Sequence, residues 1–213
     1  MSVTDRRVIE TQHGRARLEQ HRSKRPWATL ALTHGAGGGS DAADLQLFAR
    51  RLPPVGVSVA LIEQPWRVAG RRIAGPPASL DEAYRVAVSA LRMRTPLVVG
   101  GRSAGARVGC RTGRDLGAAG VLALAFPLHP PRRPERSRAH ELAAGGLPVL
   151  VVQGTRDALG TPGEFPPDTT VVAVPDADHS FAVPKRASTT PADVERLLVE
   201  TVLDWLRTLL QRP

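Results

Sequence analysis

A chain of 213 residues, 42% of them apolar, is long enough to bury a real core and too apolar to be disordered. Its formal charge of +9 invites a nucleic-acid partner, but the arginines are spread out and aromatic residues make up only 4%, too few for a base-stacking platform. No apolar run approaches the roughly 18 residues of a membrane span, MSVTDRRVIE has no apolar signal region, and the single cysteine, Cys110, excludes an intrachain disulfide. The expectation is a cytoplasmic protein of one domain over residues 1–213.

In chain order, the alternating stretches RVIET and RARLEQH flank QHGR and predict a hairpin within residues 1–22. WATLALTH reads as a strand, ADLQLFARRL as a helix and VSVALIE as a strand. SLDEAYRVAVSALRM follows as a helix, with Ser79 and Glu82 spaced as a capping box. PLVVGG is a buried strand, and AGARVGCRTGRDL a helix behind it. GVLALAF and PVLVVQG are strands separated by a short Arg/Pro-rich, lid-like segment over residues 127–146, and TTVVAVP is the last strand. In TPADVERLLVETVLDWLRTLL, Thr190 caps a helix, Pro191 takes its first position, and Val194, Leu197, Leu198, Trp205 and Leu209 form its apolar stripe. The alternation predicts an α/β fold, a mostly parallel central sheet with helices on both faces. In such sheets ligands bind beyond the carboxyl ends of the strands.

Four strands run into polar or glycine-rich residues at that edge. They are His34-Gly35-Ala36-Gly37-Gly38-Gly39, Arg102-Ser103-Ala104-Gly105, Thr155-Arg156-Asp157 and Asp176-Ala177-Asp178-His179. Gly101-Arg102-Ser103-Ala104-Gly105 fits G-x-S-x-G, in which a tight strand-to-helix turn leaves a serine hydroxyl proud of the sheet. A serine at this corner also fits a plain helix cap. A hydroxyl nucleophile needs a base and the base an orienting carboxylate. His179 is the best-placed base and Asp157 the best-placed acid, ahead of Asp178 and Asp176. The glycine loop lacks the lysine of a phosphate-binding P-loop, and Ser40 stands where G-x-G-x-x-G needs its last glycine. It reads instead as half of an oxyanion hole: the amide of Ala36, or of Gly37 in a shifted loop, would join that of Ala104.

Serine, aspartate and histidine in that chain order resemble the α/β-hydrolase superfamily. The stretches GGRSAGAR, PLHPP, QGTRD and DHSF are most similar to its small dienelactone-hydrolase-like members and to the testis-expressed and chromatin-complex hydrolase-like group. The resemblance spans residues 27–210 and implies a hydrolase fold with minimal or no lid. It also implies Ser103 as nucleophile, Asp157 as acid, His179 as base, and Ala36 and Ala104 at the oxyanion positions.

Trp66, Arg102, Leu128, His129 and Phe181 fall near these loops and are candidates for binding a small ester substrate. Arg67, Arg71, Arg72, Arg132 and Arg133 fall in neighbouring loops and read first as solvated surface charges, second as a rim that would attract an anionic one. Cys110 reads as a small buried apolar residue. No His/Cys cluster has ligand spacing, so neither metal nor cofactor is expected. The alternatives to a serine esterase are an inactive binding or scaffold protein on the same fold and a nucleotide-binding α/β protein using HGAGGG for phosphate.

Overall fold

The computed structural model describes residues 3–211. Among these residues eight strands form one sheet: β1 Val3–Thr11, β2 Gly14–Arg22, β3 Ala28–Thr33, β4 Val57–Glu63, β5 Leu97–Arg102, β6 Gly120–Leu124, β7 Val149–Gly154 and β8 Thr170–Val174. Six helices accompany them: α1 Ala43–Arg51, α2 Pro65–Val68, α3 Pro77–Ser89, α4 Ala104–Thr112, α5 Ala139–Ala143 and α6 Pro191–Leu209. The strand order is β1-β2-β4-β3-β5-β6-β7-β8. All neighbours from β4 to β8 run parallel, whereas β1–β2 and β2–β4 are antiparallel. The amino-terminal hairpin is therefore an edge of the main sheet, held by the buried Ala16 and Leu18. The outermost strand carries Arg6 and Arg7, charges that discourage edge-to-edge pairing.

Successive residues of the central strands enter opposite cores, because strand side chains alternate. Leu30 and Leu32 pack with Leu45 and Phe48 of α1 and with Leu198, Val202 and Leu206 of α6. Between them Ala31 faces the other way, toward Tyr84 of α3 and Val108 of α4. With both faces covered, the strands read as unbroken apolar runs.

Three helix boundaries differ from the sequence reading by two residues or more, the end of α3 among them, at Ser89 rather than Met93. The Ser79–Glu82 spacing does not start α3: Pro77, with its φ preset for a helix, starts it two residues earlier, and the Ser79 hydroxyl donates to the Pro76 carbonyl at 2.7 Å. The helix predicted over 104–116 ends at Thr112 and gives way to a turn. At the chain's end Thr190 caps α6, its hydroxyl accepting from the Asp193 amide at 3.1 Å.

Part of the arginine surplus is structural. Arg111 donates to Asp81 of α3 and Glu141 of α5, and Arg107 forks onto the same Glu141 at 2.6 and 2.8 Å. These pairs join three helices on one face. Residues 125–148, between β6 and β7, hold only a short 3-10 turn and α5, so no lid covers the carboxyl edge. Among the described residues no helix is long and apolar enough to cross a membrane.

Candidate active site

The last residues of β3, β5, β7 and β8 feed the four loops singled out above. Ser103 sits at the β5–α4 corner with φ 53° and ψ −113°, a backbone conformation a non-glycine residue rarely adopts. Its neighbours explain how the corner closes. A Cβ on Gly101 would lie 2.2 Å, and one on Gly105 2.3 Å, from the carbonyl oxygen of Thr33 in β3. Only glycines let β5, α4 and β3 pass so closely. The Ser103 side chain makes no capping bond to α4, so the helix-cap reading fails.

The Ser103 hydroxyl lies 3.0 Å from His179 Nε2, and His179 Nδ1 lies 2.8 Å from Asp157 Oδ2. The buried carboxylate sets the tautomer: Nδ1 carries the proton and donates it, leaving the Nε2 lone pair to face the hydroxyl. Asp157 is otherwise filled. Its Oδ1 accepts from the Leu159 amide at 2.8 Å, and its Oδ2 from Gln153 Nε2 at 2.8 Å. The two lower-ranked aspartates do other work. Asp178 Oδ1 accepts from the amides of Ser180 and Ala182 and folds the histidine loop, while Asp176 accepts from Thr189.

The glycine loop runs beside the corner. A Cβ on Gly35 would sit 3.1 Å from Ser103 Cβ. Buried His34 braces this loop: its Nδ1–H donates to the Gly35 carbonyl at 2.9 Å, and its Nε2 accepts the Gln64 amide at 3.0 Å. Burial pulls its pKa down, which suits an imidazole that must stay neutral to do both. Among the described loop hydrogen bonds none has the amide of Ala36 or Gly37 as donor, and Ala104 supplies the first amide of α4, which has no acceptor within its own helix.

The five candidate substrate residues are all tied into the structure around these loops. Trp66 is buried with its ring centroid 5.5 Å from that of His34. Leu128 and Phe181 belong to the two apolar cores. His129 Nδ1 lies 2.9 Å from the Pro130 carbonyl and its Nε2 3.0 Å from Glu164, two acceptors that raise its pKa by favouring the protonated ring. Arg102 donates to the His179 carbonyl at 2.6 Å and pairs with Asp44 at 3.0 Å. The five rim arginines are exposed. Arg71 shares with Trp66, Gln64 and Ile73 a groove of about 360 Å³. A larger groove of about 750 Å³ lies by Trp27 and Gly56, at the amino edge of the parallel strands and away from Ser103.

Gln153 and Asp44 escaped the sequence reading. Gln153 left a faint signal, an amide at the end of the apolar run VLVVQ; Asp44 left none, being an ordinary acid in a helix's first turn. Cys110 is buried on α4, and desolvation pushes its thiol up to about 12. The native protein is therefore expected to resist iodoacetamide at neutral pH and to react only once unfolded. Rapid native alkylation, followed by mass spectrometry, would contradict the buried placement.

The sequence of residues 26–207 matches the family described as alpha/beta hydrolase domain. No curated protein matches the chain significantly. Among solved structures, a lidless α/β serine hydrolase from Xanthomonas campestris superposes with a TM-score of 0.71 at 19% identity, covering 95% of this chain and 94% of that one. A dienelactone hydrolase from Anabaena variabilis gives 0.73 at 13% identity, covering 97% and 98%. Est1E from Butyrivibrio proteoclasticus gives 0.71 at 12%, covering 94% and 98%. At these identities the likeness establishes the shared fold.

Proposed function

Because this chain belongs to the alpha/beta hydrolase domain family, we propose that it is a serine hydrolase cleaving small carboxylic esters through an acyl-enzyme. The observation that carries this reading is the continuous relay of Ser103, His179 and Asp157, with contacts of 3.0 and 2.8 Å between residues far apart in the chain. An alcohol, an imidazole of the right tautomer and a buried carboxylate have little structural reason to align at a sheet edge.

The chemistry follows from the geometry. His179 Nε2 takes the Ser103 proton as Oγ attacks the ester carbonyl. The new oxyanion meets the amides of Ala36 and Ala104, and Asp157 stabilises the imidazolium that forms. Collapse expels the alcohol, protonated by His179. Water then attacks the acyl-serine by the same route, and the acid leaves. The open edge suits a small substrate.

A fluorophosphonate probe tests the reading. Wild-type protein is expected to gain one adduct, on Ser103, and Ser103→Ala none. A folded wild-type protein that stays unlabelled would favour the scaffold reading.

A further inference from the structure

Arg102 occupies the position just before the proposed nucleophile, where the sequence suggests a substrate contact. Its surroundings suggest another task. Its Nη2 donates to the main-chain carbonyl of His179 at 2.6 Å. Its Nε lies 3.0 Å from Asp44 Oδ2, an ion pair whose aspartate side chain is only 5% exposed. Asp44 stands in the first turn of α1, and its other oxygen accepts the Leu45 amide at 2.9 Å. Burial pushes the Asp44 carboxyl up, and the Arg102 guanidinium works against that shift. The guanidinium therefore joins three pieces of chain: the start of α1, the end of β5 and the loop that carries the imidazole.

We propose that Arg102 is a positioning residue, which uses buried Asp44 as its anchor and holds the His179 carbonyl so that the imidazole stays in line between Ser103 and Asp157. Three physical reasons favour this over substrate binding. A planar fork reaches two acceptors at fixed separation, which a flexible ammonium does not do. An ion pair made with a buried carboxylate is not available to a second anion without leaving that carboxylate unpaired, which is strongly unfavourable. The histidine loop also needs external support: Phe181, two residues on, has a φ of 56°.

The proposal rests on the serine-hydrolase reading for its kinetic consequence, but its structural consequence is read separately. Arg102→Gln and Asp44→Asn are each expected to lower kcat for a neutral model ester about 10- to 100-fold, the range of a lost charged hydrogen bond, with little change in KM. The double variant should be no worse than the more damaged single one, because both break the same brace. Arg102→Lys should recover part of the loss. In parallel, nitrogen-labelled histidine is followed by NMR. In the wild type the His179 Nδ1 proton, bonded to Asp157, should be protected from exchange, and the protection should fall in both variants. A rise in KM at constant kcat would overturn the proposal in favour of substrate binding. Unchanged Nδ1 protection in the variants would overturn it whatever the activity. A wild-type protein with no hydrolase activity, but with protection that depends on Arg102, would sink the catalytic reading and leave the brace standing. Should Arg102→Gln fail to fold, Arg102→Lys and the near-isosteric Asp44→Asn carry the same comparison.

Discussion

Ser103→Ala is expected to lower kcat for ester hydrolysis by about 10^4- to 10^6-fold, with the melting temperature nearly unchanged. The size of the effect comes from chemistry rather than packing. The side chain makes no capping bond to α4, and its hydroxyl interacts with His179 alone among the side chains. Alanine therefore removes one hydrogen bond to an imidazole and all of the nucleophile. His179→Ala should cost about as much, and the double variant little more than either, because the residues act as one unit. Initial rates on a small neutral ester, beside thermal melts of the same preparations, make the measurement. A Ser103→Ala protein retaining a tenth or more of the wild-type rate would place the chemistry elsewhere.

Gly105→Ala is expected to destabilise the protein by about 3 kcal/mol, the upper part of the usual range for overpacking a close contact. That corresponds to a melting temperature roughly 6–12 °C lower for a chain of this size. The sign opposes intrinsic propensity, since alanine in a helix is favoured over glycine by about 1 kcal/mol. Sterics win because the new Cβ would stand 2.3 Å from the Thr33 carbonyl oxygen and 2.9 Å from that of His34, both backbone atoms that side-chain rotation cannot move. For α4 to back away, the Ala104 amide would leave the glycine loop, so activity should fall with stability. Gly38→Ala is the control, because a Cβ there meets nothing within 4 Å. Equal melting temperatures for Gly105→Ala and wild type would refute the tight crossing of α4 over β3.

Some of the site is legible in the residues alone. The G-x-S-x-G corner announces itself because its glycines answer a local demand, two segments crossing at backbone distance beside one strained serine. The opening hairpin and the parallel order are legible for a similar reason: a strand covered on both faces reads as an apolar run, and a half-covered one alternates. Local reading misplaces the start of α3, where Pro77 outweighs a capping pattern two residues on. It does not show how Trp66, Arg102, Leu128, His129 and Phe181 are held, because closeness to a loop in sequence does not say which way a side chain faces. Gln153 shows the limit well. Its amide meets the Asp157 carboxylate and the carbonyls of Gly160 and Phe126, three acceptors drawn from two loops.

By itself the sequence determined the alternation of strands and helices, the glycines at the tight crossing and the kinds of residue delivered to one edge of the sheet. These depend on neighbours a few positions apart, where backbone sterics and side-chain period act directly. The tertiary structure alone decided that Ser103, Asp157 and His179 stand in line and that Arg102 is held by Asp44. A hydrogen bond is lost within about an ångström of misplacement, and that tolerance is met only when the packing of the whole sheet fixes the spacing of its loops.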